Sequence, residues 1–360
     1  MEKRLKILQF VPKLELAGAE IMIENLAKQL KKDSYDVKVV SLYTYQSAIT
    51  NRLEAEGIQV LYMDKKPKFD FKLFISLFKL IKKEKPDVVH THLYILPYVM
   101  PIAQLLGVKK RVHTIHNIAI KENGSMIRKV NKFFYHVCKV VPVSISPMVK
   151  DTIIKEYGLK DEVVPMIYNG IQLERCKPKT NYDTRDSKVS LLHIGRFCEQ
   201  KNHKGLIEGF RILRESNKNI ELKLMGSGDY EEDIKKLVKS YHLEDCVEFL
   251  GLKSNVYKYI NEADIFVLPS LWEGMPITLI EAMATGMPIV ATDVGGISDM
   301  ITHDESGLVV KTQVEDLVEA LDRLIRDKAL RMKLGKNALK KSACFDAVQM
   351  AKGYETIYND

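Results

Sequence analysis

Cysteine is sparse in this chain, and the five present (Cys138, Cys176, Cys198, Cys246, Cys344) form no pattern. The odd number and the lack of a Cys-x-x-Cys pair exclude a disulfide framework and argue against structural zinc. They fit a reducing compartment, so a cytoplasmic protein is expected. Long apolar runs are equally scarce. The uncharged stretch from Val88 to Val108 has membrane-spanning length but contains His90, His92, Pro97 and Pro101. A sheet strand followed by a buried helix explains it better than a bilayer span. Lys6 to Val11 reads as a first strand and not as the apolar core of a targeting signal. No repeat period is present, which excludes a solenoid. The turn after the first strand lacks Gly-x-Gly-x-x-Gly, which excludes a dinucleotide-dependent dehydrogenase.

Acidic charge is scarce in the first half only. Residues 1–172 hold 28 Lys/Arg against 17 Asp/Glu, whereas the rest hold 27 against 30. Within residues 65–139 the balance is 16 basic to 4 acidic, which implies an anionic partner for that half. Lys65 to Lys83 reads as a basic amphipathic helix, of the kind that lies on anionic membrane. A surface helix packed on its own sheet, with a lysine-rich solvated side, is the alternative. Nucleic acid is not the expected partner, because the positive region lacks interleaved base-stacking motifs.

The chain's 360 residues suit two domains, and 46% apolar content is enough for two cores. Strand-like runs alternate with helix-like runs throughout, which signals α/β architecture with parallel sheets. In the first half strands are expected near Lys6–Val11, Asp36–Tyr43, Ile58–Met63, Asp87–Thr91, Arg111–His116, Lys139–Val143 and Val163–Tyr168. In the second they are expected near Val189–Ile194, Ile220–Met225, Val247–Leu250, Asp264–Pro269, Pro288–Ala291 and Gly307–Val310. Leu173 to Lys188, with Pro178, Asn181 and five basic residues, reads as the linker. The expected domains are 1–172 and 173–344, and the last segment reads as a helix.

The most informative stretch is Glu273-Gly274-Met275-Pro276-Ile277-Thr278-Leu279-Ile280-Glu281, entered directly from the strand at Asp264–Pro269. A strand-to-helix turn in an α/β sheet lies at the carboxyl edge, where ligands bind. Pro276 suits a first helical position, and the free N–H groups of the helix that follows make a seat for phosphate. Glu273 would lie before that helix and Glu281 more than a turn inside it, flanking the seat. A diphosphate with a sugar at each end needs that layout. Gly195-Arg196 with Lys201 ends another strand, where the guanidinium can grip phosphate bidentately and the ammonium adds a point charge.

These residues resemble the retaining glycosyltransferases of family 4, which have the GT-B architecture of two Rossmann-like domains facing across a cleft. The Glu-x7-Glu element at Glu273 and Glu281, its continuation through Gly295-Gly296, and the Gly-Arg…Lys motif at Arg196 and Lys201 carry the likeness. Leu14 to Glu20 is similar to the family's glycine-rich loop, with Ala17 where a glycine is usual. The resemblance implies that Glu273 contacts the transferred sugar and Glu281 the ribose, and that Arg196 and Lys201 bind the donor diphosphate. It implies further donor contacts at Gly18, Gly226, Leu252, Gly274, Met275, Pro276 and Ile277, a sugar contact at His116, and acceptor-side positions at Ala19 and Glu20. It places the final helix, within 345–360, back on the first domain. His92, on the same strand face as His90 with no carboxylate or Cys nearby in sequence, reads as an acceptor-pocket residue or a satisfied polar group and not as a metal ligand.

The expected activity is metal-independent transfer of a hexosyl or N-acetylhexosaminyl group from a nucleoside-diphosphate sugar, UDP being the commonest carrier in the family. The donor would be a co-substrate and no cofactor is expected. A glycan or lipid-linked acceptor at the inner face of the cytoplasmic membrane fits the basic first half, as in capsule, exopolysaccharide or O-antigen assembly. A soluble small acceptor, a GT-B sugar-nucleotide epimerase and a non-catalytic nucleotide-sugar binder are the alternatives.

Overall fold

In the middle of each sheet, apolar runs too short for helices are buried on both faces, the condition under which parallel strands form. The protein is described by a computed structural model at residues 4–67, 70–183 and 188–360. It divides into two compact units, residues 1–171 with 347–360, and residues 172–346.

The first unit holds β1 (Lys6–Val11), β2 (Asp36–Ser41), β3 (Gln59–Tyr62), β4 (Val88–His92), β5 (Lys110–Ile115) and β6 (Val141–Ser144). They pair in parallel in the order β3-β2-β1-β4-β5-β6. The second holds β7 (Val189–Ile194), β8 (Ile220–Met225), β9 (Val247–Gly251), β10 (Ile265–Leu268), β11 (Ile289–Thr292) and β12 (Leu308–Val310). Their order, β12-β11-β10-β7-β8-β9, repeats the same topology. In each sheet the direction of strand addition reverses once, between β1 and β4 and between β7 and β10. Loops leaving the carboxyl ends of those neighbours diverge and open a crevice for ligand.

Val163–Tyr168 is not a strand. A 3-10 turn covers Asp161–Val163, and a single bridge joins Met166 to Ser144. Pro165 has no N–H to donate; its carbonyl accepts from Ser144 N at 3.0 Å, and Ile167 N returns one bond to Ser144 O at 2.9 Å. The stretch expected as a linker is stitched to the second unit. Lys179 N donates to Thr285 O at 2.8 Å, and the Tyr182 hydroxyl donates to Gly286 O at 2.9 Å. Residues 184–187 of that stretch lie outside the described residues, as do Lys68 and Phe69 of the basic segment, whose helix runs from Phe71 to Glu84.

The final helix, Ala347–Asn359, belongs to the first unit and packs on the helix Gly18–Lys32. Its Tyr358 hydroxyl lies 2.7 Å from His90 Nδ1, and its Tyr354 hydroxyl 2.8 Å from Thr114 Oγ1. Thr114 also meets His90 Nε2 at 2.8 Å. Both His90 nitrogens are therefore satisfied, which makes this histidine a structural polar group under the helix.

Candidate active site

In the second unit the carboxyl ends of the neighbouring strands β7 and β10 carry most of the residues expected on the donor side. Gly195 and the exposed Arg196 follow β7, and Lys201 closes a 3-10 turn at Glu199–Lys201. Ser270 to Glu273 follow β10. Glu273 is buried, and its Oε1 accepts from Lys201 Nζ at 2.5 Å and from Ser270 Oγ at 2.6 Å. Gln200 Nε2 donates to Glu273 Oε2 at 3.1 Å and to Trp272 O at 2.9 Å, while Gln200 O accepts from Leu271 N at 2.8 Å. The β7 and β10 loops are thus laced together through one carboxylate.

Two glycines let the neighbouring loops close on this site. At Gly295, with φ of 59°, a Cβ would stand 1.8 Å from Glu273 O. At Gly226, with φ of 146°, it would stand 2.0 Å from Gly195 O. No side chain fits either place. Gly296 N also donates to Gly274 O at 2.9 Å, so the β11 loop fixes the backbone around Glu273. Leu252, exposed, follows β9 beside Gly251, whose carbonyl accepts from Gly226 N at 3.1 Å.

The helix after Glu273 runs from Ile277 to Ala284, with Pro276 as its cap and not its first residue. A ψ of 121° holds Pro276 outside the helix, and its carbonyl accepts from Leu279 N at 3.1 Å. The amides of Ile277 and Thr278, ahead of that bond, lie at the helix end. Gly274, Met275, Pro276 and Ile277 are buried around that end. Glu281 is buried one turn further in. Burial, and then the nearby Glu281 carboxylate, push the Cys176 thiol up to about 12 and raise the Tyr257 hydroxyl as well.

In the first unit the carboxyl ends of β1, β4 and β5, consecutive in the sheet, collect the other expected residues. Gly18 opens the helix Gly18–Lys32 behind Ala17, whose backbone is extended; Ala19 is half-buried and Glu20 buried in its first turn. His92 ends β4 fully buried, and its Nδ1 lies 3.0 Å from His116 Nε2. Leu93, next to it, takes φ of 59°, a strained value for a residue with a side chain. His92 and His113 face opposite sides of the sheet; His113 Nδ1 meets Thr91 Oγ1 at 2.9 Å. Burial drops His113 and His116 to about 3 and holds His90 and His92 well below the usual imidazole range. All four are neutral at physiological pH. The loop bearing His116 is held by Glu122, whose Oε2 accepts from Asn117 N at 3.1 Å. Burial raises the Glu122 carboxyl to about 8.

Gln200, Ser270 and Glu122 carry no expected role in the sequence reading. For Gln200 and Ser270 a signal was present, since both stand within three residues of a basic or acidic motif residue at a strand end. Glu122 has no such marker. Among the described residues no group of three or more His, Cys, Asp or Glu side chains is arranged to hold a metal ion.

Residues 178–341 match the family described as Glycosyl transferases group 1, and residues 16–175 match Glycosyltransferase Family 4. The chain is 29% identical over 309 residues to the Escherichia coli UDP-Gal:alpha-D-GlcNAc-diphosphoundecaprenol alpha-1,3-galactosyltransferase, covering 81% of this chain and 80% of that one. It is 28% identical to the Bacillus anthracis N-acetyl-alpha-D-glucosaminyl L-malate synthase, covering 96% and 94%. The crystal structure of Anabaena HepE in complex with UDP and glucose superposes with a TM-score of 0.87 at 20% identity, covering 99% of this chain and all of that one.

Proposed function

Because this chain belongs to the glycosyltransferases of family 4, with the GT-B fold, and acts in glycan biosynthesis, we propose that it transfers a hexosyl or N-acetylhexosaminyl group from a UDP-sugar to a hydroxyl of a lipid-linked glycan, with retention of configuration. The observation that carries this reading is the enclosed Glu273 carboxylate, tied to Lys201 beside Arg196 at the β7/β10 switch point. A leaving diphosphate needs cationic and N–H donors held ready where its charge develops. Arg196, Lys201 and the helix end at Ile277 supply them without a divalent cation, while Glu281 accepts the ribose hydroxyls. Gly18, Ala19, Glu20 and His116 are assigned to the first unit's part in binding.

The bond from the anomeric carbon to the diphosphate oxygen breaks, and the acceptor oxygen bonds to that carbon from the same face. The acceptor's proton passes to the leaving diphosphate, so no separate general base is assigned. The relatives differ in acceptor: the E. coli enzyme's name specifies a diphosphoundecaprenol-linked sugar, the B. anthracis enzyme's name L-malate. The basic charge of residues 65–139 favours the lipid-linked diphosphate and contact of the helix Phe71–Glu84 with an anionic membrane.

The test is thermal stabilisation by UDP, GDP, ADP or NAD in excess EDTA. A ligand at 100 times its dissociation constant adds about 2.7 kcal/mol. A shift with UDP and none with NAD is expected. No shift with any nucleoside diphosphate overturns the donor site. Turnover with a diphosphoprenol-linked sugar, and none with malate, is the outcome expected of the acceptor.

A further inference from the structure

Building on the lipid-linked acceptor assigned above, and resting on it for purpose, we propose that one whole helical layer of the first unit is a docking surface for an anionic lipid bilayer. The layer comprises the helices Phe71–Glu84, Leu96–Leu105 and Ser125–His136, of which the basic segment at 71–84 is one part. They connect β3 to β4, β4 to β5 and β5 to β6, all stepping in the same direction across the sheet. Right-handed crossovers that step one way lie on one face. The packing agrees, because the middle helix touches both others. The helices Gly18–Lys32 and Ala48–Ala55 join strands stepping the other way and cover the opposite face.

The two faces differ in what they show to solvent. The four most exposed large apolar side chains among the described residues are Met126 (79%), Leu105 (75%), Phe71 (67%) and Val137 (62%); the first three lie in these helices and Val137 caps the helix Ser125–His136. Phe133 and Ile75 are also exposed there. Met126, Phe133 and Val137 recur at helical spacing and form an apolar stripe, flanked by exposed Lys129 and Lys132. Phe71 and Ile75 make a similar stripe beside Lys72 and Lys79. The helices Gly18–Lys32 and Ala48–Ala55 have no exposed large apolar side chain. Apolar stripes bordered by lysine enter the headgroup boundary of a bilayer while the ammonium groups meet lipid phosphates. A second copy of this chain would bring the same positive charge against itself, so an anionic surface is the complementary occupant.

Flotation with vesicles of phosphatidylglycerol and phosphatidylcholine tests this, beside vesicles of phosphatidylcholine alone. Binding to the anionic vesicles only is expected. It should fall at least tenfold in the double variant Met126→Ser/Phe133→Ser and in Lys129→Glu/Lys132→Glu. The UDP-induced thermal shift is recorded on the same samples, reporting both folding and the donor site. Variants that keep the shift and still float like the unaltered protein overturn the docking surface alone. A dimer that the serine variants disrupt, with no vesicle binding, overturns it in favour of a self-interface. Vesicle binding without a UDP shift leaves the docking surface standing and removes the proposed activity.

Discussion

Lys201 and Glu273, 72 positions apart in sequence, meet through Nζ and Oε1 at 2.5 Å. Both are largely shut off from solvent. The pair couples the cation proposed to bind the donor diphosphate to the carboxylate proposed to meet the transferred sugar, so neither can be altered without disturbing the other.

Arg196→Ala and Lys201→Ala should each lower kcat by about 10²–10³-fold, the usual loss for a preorganised electrostatic contact. Their stabilities should differ. Arg196 is exposed, and its loss should leave the melting temperature nearly unchanged. Lys201→Ala strips a buried carboxylate of its counter-charge, at a cost of about 3 kcal/mol. Kinetics and thermal melts on both variants check this; normal turnover in either removes the diphosphate role.

Gln200→Glu should place a second carboxylate where an amide now donates to Glu273 Oε2 at 3.1 Å. The donated hydrogen bond is lost and two carboxyl groups face each other, so the variant should melt at lower temperature and turn over more slowly. A melting curve and kcat identical to those of the unaltered enzyme would reduce Gln200 to a loop residue.

Gly295→Ala and Gly226→Ala should both disable donor binding, because the added methyl meets a backbone carbonyl at 1.8 Å and 2.0 Å. Loss of the UDP thermal shift in a protein whose circular dichroism is retained is the expected result. Gly57→Ala serves as the control, since its positive φ adds strain with no neighbour within 4 Å.

Protonation should act on the first unit from both sides of neutrality. His113 and His116 sit near 3 when folded, below the ordinary imidazole value of 6.5. The unfolded chain takes up protons first, so their contribution is complete above 6.5 and is lost as pH falls towards 3. Glu122 is raised from 4.5 to about 8. Its contribution is complete below 4.5 and is lost as pH rises through 8. Glu122→Gln keeps an acceptor for Asn117 N and should abolish the alkaline loss only. Denaturant titrations between pH 4 and 9 measure it.

Several features were legible before the fold was. β1, β7 and β8 begin and end where the sequence places them: β7 is buried on both faces throughout and β1 from Ile7 onward, while β8 alternates apolar residues with the half-buried Glu221 and Lys223. Val163–Tyr168 misled for the complementary reason. It has strand composition, but Pro165 cannot donate and the ladder goes no further than Ser144. Pro276 caps its helix and is not its first residue, because a proline's fixed φ suits both the cap and the first turn.

The chain by itself determined the alternation of strand and helix, the turns that end strands, and the residue types placed on them. Those properties depend on neighbours a few positions away. Only the tertiary structure decided that Gln200 and Lys201 close on Glu273, that His92 pairs with His116, and that His90 is spent holding the last helix. Each of those contacts depends on which strands lie side by side and in what register. Strand order is settled by packing across the whole sheet, which no local stretch of sequence encodes.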